Sequence, residues 1–307
     1  MASSVSWDPD SLPSQSGKTI VVTGGNAGIG YFVSEQLAGA GARVVLASRS
    51  DEKARTAIES IRSRVPGAEL DFVRLNLSSL GAIREAAEKI RKLGGVDVLI
   101  NNAGATTGGK KRATTEDGLE FVVGSNAFGP YALTALVFPA LATNARVVSL
   151  GSMATRLVKL DPTNLQSTSG RFNFFRAYGY SKHAMHAFAF ELQRKLSAAG
   201  SAIESLLAHP GSAVDLLSDK RRGINDGGVK PLDVLSAIIS QGKDRGAWPI
   251  VRAAVDPNAH GGEFYGPHRG VVGRPDLLEP VASSASEGFG ADFWRQAEAA
   301  TGIRFEP

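Results

Sequence analysis

Cysteine is missing from the 307-residue sequence. Its absence excludes disulfides, thiolate metal ligands and cysteine nucleophiles. A large excess of one charge is also missing. The formal net charge is only +4, and the lysines and arginines are scattered along the sequence. A nucleic-acid partner would need a concentrated basic surface, so none is expected. His183, His186 and His209 have no carboxylate neighbours at metal-ligand spacing, and we predict no metal site.

Long apolar runs are the next missing feature. Residues 1–17 hold prolines, serines and aspartates, without the basic start and apolar run of a signal peptide. We find no uninterrupted apolar run that approaches membrane-spanning length. With 43% hydrophobic and 21% charged residues, the composition is that of an ordinary globular protein. We therefore expect a soluble, cytoplasmic protein with no membrane partner, a polar extension over residues 1–17 and one domain over residues 18–307.

What the sequence does contain is a strand, a glycine-rich turn and a helix in direct succession. Residues 18–23 are rich in β-branched side chains, as in a buried strand, and residues 31–41 have helical apolar spacing. Between them lies a turn with four glycines, which let the backbone approach a ligand closely. The helix start offers free N–H groups and a partial positive charge. The stretch therefore favours a nucleotide with a pyrophosphate over the alternative of plain turn geometry.

Strands and helices then alternate along most of the chain. The predicted strands cover residues 18–23, 43–48, 69–75, 96–100, 145–150, 203–209 and 262–265, and the predicted helices cover residues 31–41, 51–65, 79–93, 118–141, 178–199, 231–241 and 287–300. The helix over residues 118–141 is expected to bend or break near Gly129 and Pro130. Such alternation is typical of a parallel sheet covered on both faces. We predict an α/β fold with a Rossmann-type doubly wound parallel sheet, three αβα layers and a single domain.

Tyr178 and Lys182 are four residues apart in the predicted helix over residues 178–199, so both lie on one face. A free phenol has a pKa of about 10, too high for easy proton exchange at neutral pH. A neighbouring ammonium favours the phenolate, so the pair is a candidate acid/base device. Tyr180 is offset by two residues and points away from Lys182. The alternative is an ordinary surface pair, which is the more common meaning of this short pattern alone.

Six short motifs follow one another along the chain. They are Thr23-Gly24-x-x-x-Gly28-Ile29-Gly30, Asn101-Asn102-Ala103-Gly104, Asn126, Ser152, the pair of Tyr178 and Lys182, and Pro210-Gly211. In this order they resemble the classical short-chain dehydrogenase/reductase family over about residues 17–265. The resemblance implies an oxidoreductase that interconverts a carbonyl and an alcohol on a fairly apolar small molecule, with a nicotinamide cofactor.

The resemblance also implies roles for individual residues. The catalytic set is Asn126, Ser152, Tyr178 and Lys182. Tyr178 exchanges a proton with the substrate oxygen, Lys182 lowers the phenol pKa and holds the nicotinamide ribose, Ser152 orients the carbonyl, and Asn126 places Lys182 through a water. Cofactor contacts are implied for Gly24, Asn26, Ala27, Gly28, Ile29, Gly30, Ser48, Arg49, Asn76, Leu77, Asn102, Ala103, Gly104, Tyr178, Lys182, Pro210, Gly211 and Ser212.

The end of the second strand bears on cofactor choice. An NAD enzyme usually has an acid there, which binds the ribose hydroxyls and repels a 2′-phosphate. Here the strand ends in Ser48 and Arg49, and no acid occurs before Asp51. Arg49 can pair with a phosphate through its planar fork, with Ser48 and Ser50 as further donors. We predict NADP(H) as the preferred cofactor, with NAD(H) possible; the alternative is a solvated arginine at a helix start.

The sequence departs from the family pattern at several positions. Asn76 stands where an aspartate is usual, and Asp215 replaces the usual threonine after Pro210-Gly211, with Ser212 as a possible substitute. Ser149 is a rival for the serine role, although it lies within the strand. Ser152 and Tyr178 are 26 residues apart, about twice the spacing in compact members of the family that the chain resembles, which implies an insertion within residues 153–177.

The insertion contains six large apolar residues: Leu157, Val158, Leu160, Phe172, Phe174 and Phe175. They could form a lid over an apolar substrate, or they could pin the loop to the protein body. Residues 212–229 are expected to form a second flap, with glycines 223, 227 and 228 giving it freedom to move. Lys110, Lys111 and Arg112 are expected to be solvated.

Two further stretches narrow the resemblance. Residues 114–120 and 47–49 resemble the branch that contains retinol dehydrogenases and WW-domain oxidoreductases, as does the segment from Phe293 to Phe305 within the expected C-terminal extension over residues 267–307. Relatives often pair through the helices near Asn126 and Tyr178, so a homodimer or homotetramer is possible. The functional alternative is a regulator that senses a dinucleotide without turnover. The intact set of catalytic residues argues against it, since a sensor needs only the first motif.

Overall fold

A computed structural model of the chain describes residues 7–106, 108–226, 237–268 and 270–307. Its centre is an eight-stranded sheet with the order β10-β9-β6-β5-β4-β1-β2-β3. The strands are β1 (Thr19–Thr23), β2 (Arg43–Ser48), β3 (Leu70–Arg74), β4 (Val96–Asn101), β5 (Leu141–Leu150), β6 (Glu204–Ala208), β9 (Phe264–Pro267) and β10 (Pro275–Leu277), and β7 (Ala213–Val214) pairs with β8 (Gln241–Gly242) in a separate ribbon. All pairs are parallel except β9 with β10.

The helices cover both faces of this sheet. They are α1 (Gly28–Gly39), α2 (Asp51–Arg64), α3 (Leu80–Arg91), α4 (Phe121–Val123), α5 (Gly129–Val137), α6 (Ala154–Leu157), α7 (Phe174–Ala198), α8 (Lys243–Gly246), α9 (Trp248–Val255), α10 (Ala282–Ala285) and α11 (Glu287–Thr301). A π-helical turn, Gly124–Phe128, joins α4 to α5.

The alternation of side chains along β1 shows why both faces are covered. Ile20 and Val22 belong to a core that includes Phe32 of α1, whereas Val21 belongs to a second core that includes Ile83 of α3 and Leu133 of α5. Successive residues of a strand point to opposite faces, so a strand that is apolar throughout requires an apolar layer on each side. The predicted three-layer α/β fold with one doubly wound sheet is confirmed.

The order of strands places the site. The chain moves outward from β1 to β3 and then returns to β4 on the other side of β1. Ligands of open α/β sheets bind outside the carboxyl ends of the strands at such a reversal. The glycine-rich turn follows β1 at this edge, and Asn102 follows β4 beside it.

Several predicted boundaries were wrong. The helix expected over residues 118–141 begins at Phe121, and the irregularity expected near Gly129 and Pro130 is the π turn Gly124–Phe128 directly before them. The helix expected from Tyr178 begins at Phe174, where Asn173 caps it by accepting a hydrogen bond from the Arg176 amide.

Other differences lie in the second half of the chain. The strand expected over residues 145–150 begins at Leu141, and the last predicted strand is shifted to Phe264–Pro267. Helix α9 and strand β10 were not predicted. Residues 231–236 of the predicted helix over 231–241 lie outside the described part of the chain, and Gln241 lies in β8.

One helix bears on the expectation that no uninterrupted apolar run approaches membrane-spanning length, although polar residues such as Ser125 and Asn126 interrupt it. The continuous helical stretch Phe121–Ala140 is long and apolar enough to cross a membrane, and 78% of its apolar window is buried inside the protein. It contains the π turn and α5, which pack between α3 and α7. The composition of a core helix therefore explains this stretch.

The C-terminal segment closes a large aromatic cluster. Phe293 of α11 stacks on Phe128 with ring centroids 5.9 Å apart, and Trp294 meets Tyr131 edge-on at 5.2 Å. Phe305 stacks on Trp294 at 5.2 Å. Helix α11 therefore covers the outer side of α5 and α7, and we call this group the aromatic cluster.

Candidate active site

The turn between β1 and α1 has the geometry that brings the backbone close to a ligand. Gly24 and Gly28 adopt φ values of +68° and +57°, which L side chains rarely take. A Cβ on Gly30 would lie 2.3 Å from the Gly24 carbonyl oxygen, so the helix start and the strand end are in direct contact there. Only glycine permits this approach.

Helix α1 begins with free backbone donors. Within the described residues no side chain caps its start, where Ala27 is the N-cap residue, and no acid lies in its first turn. By contrast, Ser50 caps α2, Ser79 caps α3 and Ser286 caps α11. Uncapped N–H groups at a glycine-rich turn suit a phosphate. The turn therefore has backbone donors that suit a phosphate group, and Gly24, Asn26, Ala27, Gly28, Ile29 and Gly30 belong to it.

The end of β4 is fastened to this turn. The Asn102 side-chain amide donates to the Thr23 carbonyl at 2.7 Å, and the Ala103 amide donates to the Thr23 hydroxyl at 3.0 Å. Asn102 thus acts as a brace between two strand ends. Ala103 packs against the turn, since a Cβ built on Gly24 would lie 3.2 Å from it, and a Cβ built on Gly104 would lie 3.1 Å from Asn126 Oδ1.

Arg49 lies at the rim of a depression beside the end of β2. Arg74, Asn76, Ser79 and Lys89 line the same depression, together with Glu85 and Glu116. Arg49 is exposed, whereas Ser48 is buried. The Asn76 side chain accepts from the Ser78 hydroxyl at 2.8 Å and donates to Glu116 at 3.4 Å, and Leu77 beside it is buried in the core.

Tyr178 and Lys182 lie within α7, one turn apart, as the spacing predicts. The Lys182 ammonium is 5.7 Å from the centroid of the Tyr178 ring and donates to the Leu150 carbonyl at 2.7 Å. Lys182 is 3% exposed, and burial lowers its pKa to about 8. Burial raises the pKa of Tyr178, and hydrogen bonding to Ser152 offsets part of this. The expected lowering of the phenol pKa by Lys182 is therefore not seen.

Ser152 follows β5 and faces α7. Its hydroxyl accepts from the Ala154 amide at 3.1 Å, and its own amide donates to His186 Nε2 at 3.3 Å. Ser149, the rival serine, is fully buried within β5. Ser152 is hydrogen-bonded to Tyr178, and its role in orienting a substrate oxygen stays a prediction.

Asn126 connects the loop after β4 with α7. Its side chain makes two hydrogen bonds with the backbone of Ala105, accepting at 2.6 Å and donating at 3.1 Å. It also donates to the Ser181 hydroxyl at 3.1 Å. The π turn aims this buried side chain at both neighbours. Its direct partner on α7 is Ser181, the residue before Lys182, and the placing of Lys182 through a water stays a prediction.

The insertion over residues 153–177 both anchors itself and reaches the site. Val158 is buried against Gly179, which anchors the loop. Phe174 stacks on Tyr178 with ring centroids 6.4 Å apart, and Leu157 is 75% exposed. Val158 therefore pins the loop to the protein body, while Phe174 places an apolar ring beside Tyr178.

The segment after Pro210-Gly211 is bonded to helix α1. The Ser212 hydroxyl pairs with that of Ser240 at 2.7 Å. Arg221, 8% exposed, makes two hydrogen bonds of 2.7 Å to Glu35 of α1. A buried bidentate ion pair restrains its segment, so the predicted freedom of this flap does not extend to Arg221. Residues 227–229 of the flap lie outside the described ranges.

Sequence reasoning overlooked three residues of this region. Arg74 stands at the end of β3, a position at which the strand pattern could have revealed it. His186 lies four residues after Lys182, on the same helical face, and that spacing was a usable signal. Lys243 follows β8, far along the chain from the glycine turn, and no local sequence pattern indicates its position near that turn.

Three neutral histidines are buried behind the site, and we predict that they make stability depend on pH. Burial lowers the pKa values of His183 and His186, and that of His209 to about 4. Below about pH 6.5 these histidines bind protons in the unfolded chain but stay neutral in the folded chain. The free energy of unfolding therefore decreases as pH falls toward 4. For His209 alone, the free energy of unfolding should drop by about 2 kcal/mol between pH 7 and pH 5.

Urea unfolding at the two pH values measures this loss. His209→Gln should reduce the difference between pH 7 and pH 5, and His260→Gln, which removes an exposed histidine, is the matched control. An unchanged pH dependence in His209→Gln would contradict the assignment.

Comparison with known proteins gives consistent matches. Residues 18–219 match the family profile described as short chain dehydrogenase. Polyprenol dehydrogenase from Mus musculus is 34% identical over 260 residues, 82% of this chain and 76% of that protein. Retinol dehydrogenase 13 from Homo sapiens is 38% identical over 200 residues, 64% of this chain and 59% of that protein.

Solved structures show the same fold. An uncharacterized protein from Mycobacterium paratuberculosis is 32% identical, with a TM-score of 0.80 over 98% of this chain and 99% of that one. A short chain dehydrogenase from Burkholderia cenocepacia J2315, solved in complex with NADP, is 22% identical, with a TM-score of 0.59 over 78% of this chain and 91% of that one.

Proposed function

This chain belongs to the short-chain dehydrogenase family, and on that premise we propose that it interconverts a carbonyl and an alcohol on a fairly apolar small molecule, with NADP(H) as the preferred cofactor. The family membership establishes an NAD(P)-dependent oxidoreductase acting on CH–OH groups. The observation that carries the finer proposal is the clustering of Ser152, Tyr178 and Lys182 at the end of β5, the same edge of the sheet at which the glycine turn follows β1.

The proposed chemistry follows from the protonation states. Because burial raises the pKa of Tyr178, the phenol holds its proton at neutral pH and can donate it to an oxygen that gains negative charge. Ser152 orients that oxygen, and Lys182, held by the Leu150 carbonyl, keeps a positive charge nearby. The nicotinamide supplies the hydride when bound. These states favour Tyr178 as an acid in carbonyl reduction.

Two sets of residues support the cofactor assignment. The uncapped start of α1 suits the pyrophosphate, and Arg49 with Arg74 suits a 2′-phosphate at the end of β2. A structural neighbour was solved with NADP, and another, a blue fluorescent protein from a metagenomic library, with NADPH. We propose that Pro210, Gly211 and Ser212 border the nicotinamide end.

The apolar character of the substrate rests on Phe174 at Tyr178 and on the exposed Leu157. The relatives named for polyprenol and retinol are consistent with an apolar alcohol or its carbonyl product. A screen of apolar aldehydes and ketones with NADPH, followed by the loss of absorbance at the nicotinamide band, tests the activity. Failure of every such substrate with both cofactors would favour the dinucleotide-sensing alternative.

We predict that Arg49→Ala weakens the binding of NADPH but not that of NADH. Removing a charge-assisted contact to the 2′-phosphate should raise the Kd for NADPH roughly tenfold. The Kd for NADH should stay near that of the wild type, because NADH has no 2′-phosphate. Fluorescence titration with both cofactors measures this, and Arg91→Ala, at the far end of α3, is the matched control. Equal binding of the two cofactors by the wild type would refute the preference.

The location and assembly of the protein remain proposals. We propose a cytoplasmic location, supported by the burial of the apolar helical stretch Phe121–Ala140; cell fractionation tests it. Any homodimer or homotetramer would use a surface other than the outer side of α5 and α7, because α11 covers it. Size-exclusion chromatography with light scattering measures the assembly.

A further inference from the structure

A lysine from the second half of the chain lies at the start of the cofactor helix. The ribbon of β7 and β8 places Lys243 directly after β8, at the first residue of α8. A Cβ built on Gly28 would have one neighbour within 4 Å among the described atoms outside its own helix, the Lys243 ammonium at 3.8 Å. The ammonium therefore faces the open side of the glycine turn, where the first N–H groups of α1 are uncapped.

The fold holds the lysine in this place from both sides. Its amide donates to the Ser218 hydroxyl at 2.7 Å, which fixes the backbone after β8. The next residue, Asp244, accepts a hydrogen bond of 2.9 Å through its carbonyl from Gln36 of α1. The start of α8 is thus attached to the helix whose N-terminus the ammonium approaches.

The ammonium is paired with Asp215, the residue that replaces the family's usual threonine. The Nζ–Oδ2 distance is 2.6 Å, and the two side chains are 23% and 48% exposed. Asp215 alone would repel a pyrophosphate, because like charges at short range are unfavourable. The Lys243 ammonium cancels the charge of the Asp215 carboxylate. The ammonium can also leave this carboxylate and pair with a phosphate group instead.

We propose that Lys243 binds the pyrophosphate of the dinucleotide and exchanges Asp215 for it when the cofactor enters. The inference rests on the proposed cofactor site. It assigns a cation to the pyrophosphate, which NADP and NAD share. Arg49 is instead assigned to the 2′-phosphate, which only NADP carries. It also gives the departure at Asp215 a physical reason: the acid is the resting partner of the ammonium.

Direct binding tests this assignment without turnover. Lys243→Gln should raise the Kd for NADPH and for NADH by a similar factor, roughly tenfold, as expected for the loss of a charge-assisted hydrogen bond. Lys243→Arg keeps the charge and should restore most of the affinity. Lys18→Gln is the matched control, because Lys18 also pairs with an aspartate, Asp97 at 2.8 Å, but lies at the opposite end of β1. Isothermal titration at low salt measures all four proteins.

A second variant tests the exchange. Asp215→Asn removes the competing carboxylate, so both cofactors should bind at least as tightly as to the wild type. Weaker binding by Asp215→Asn, or unchanged binding by Lys243→Gln, would overturn the inference while leaving the cofactor site in place. Failure of the wild type to bind either cofactor would instead overturn the proposed function. A loss confined to NADPH in Lys243→Gln would reassign the lysine to the 2′-phosphate and also overturn the inference.

Discussion

Tyr178→Phe is expected to lower turnover by roughly 10²- to 10⁴-fold, the usual contribution of general acid–base catalysis. The ring remains, so its stacking with Phe174 at 6.4 Å should persist. The variant loses the phenol proton and the hydrogen bond between Tyr178 and Ser152. The Kd for NADPH should stay close to the wild-type value, which separates loss of chemistry from loss of the site. Steady-state kinetics and a binding titration on the same preparation measure both.

Tyr180→Phe is the matched control for this prediction. Tyr180 is two residues further along α7 and is buried in the core rather than facing Lys182. Its loss of a hydroxyl should leave turnover largely intact. Equal losses in the two variants would show that the hydroxyl of Tyr178 has no special role. Wild-type turnover in Tyr178→Phe would exclude the proposed mechanism.

Gly30→Ala is expected to abolish cofactor binding and to lower the free energy of unfolding by about 1–3 kcal/mol, the usual cost of overpacking. The new Cβ would lie 2.3 Å from the Gly24 carbonyl oxygen and 2.4 Å from Asn102 Nδ2. The first of these is backbone, so the turn must open. Opening separates the first N–H groups of α1 from the end of β1, where the pyrophosphate is expected. Urea unfolding and a NADPH titration measure the two effects.

Gly39→Ala provides a control within the same helix. A Cβ on Gly39 would find only Val65 Cγ2, at 4.0 Å. Alanine is preferred over glycine in helices by up to about 1 kcal/mol, so this variant should be neutral or slightly more stable. A Gly30→Ala protein that binds NADPH normally would mean that the contact between Gly30 and Gly24 is not required for the turn.

The parts of this structure that local sequence determines were predicted well. A strand must alternate its side chains and a helix must repeat every 3.6 residues, so β1 to β6 and α1 to α3 were found within a few residues. The glycine turn was predicted for the same reason, since positive φ at Gly24 and Gly28 requires glycine. Tyr178 and Lys182 share one helix, so their proximity followed from spacing alone.

The parts that depend on tertiary contacts were not predictable. Lys243 reaches α1 only because β7 and β8 pair across a long segment. The start of β5 at Leu141 is set by its pairing with Val96 of β4, a contact that no local pattern encodes. Propensity is overridden in such places by packing with distant elements.

The pKa of Tyr178 illustrates the same limit for chemistry. The spacing of Tyr178 and Lys182 predicts attraction between phenolate and ammonium. Burial opposes this in both side chains, because it favours the neutral form of each. Burial is a property of the folded chain, and the direction of the shift followed from it.

The aromatic cluster has a consequence for the order in which the protein folds during synthesis. Phe128 and Tyr131 leave the ribosome long before Phe293, Trp294 and Phe305, with which they pack. The Tyr131 hydroxyl also donates to the Ile303 carbonyl at 3.2 Å. Domains fold as units during synthesis only when their contacts are available. The aromatic side chains that α11 covers therefore stay exposed in the nascent chain until residue 305 has been synthesised. During this interval chaperones would find an apolar surface to bind.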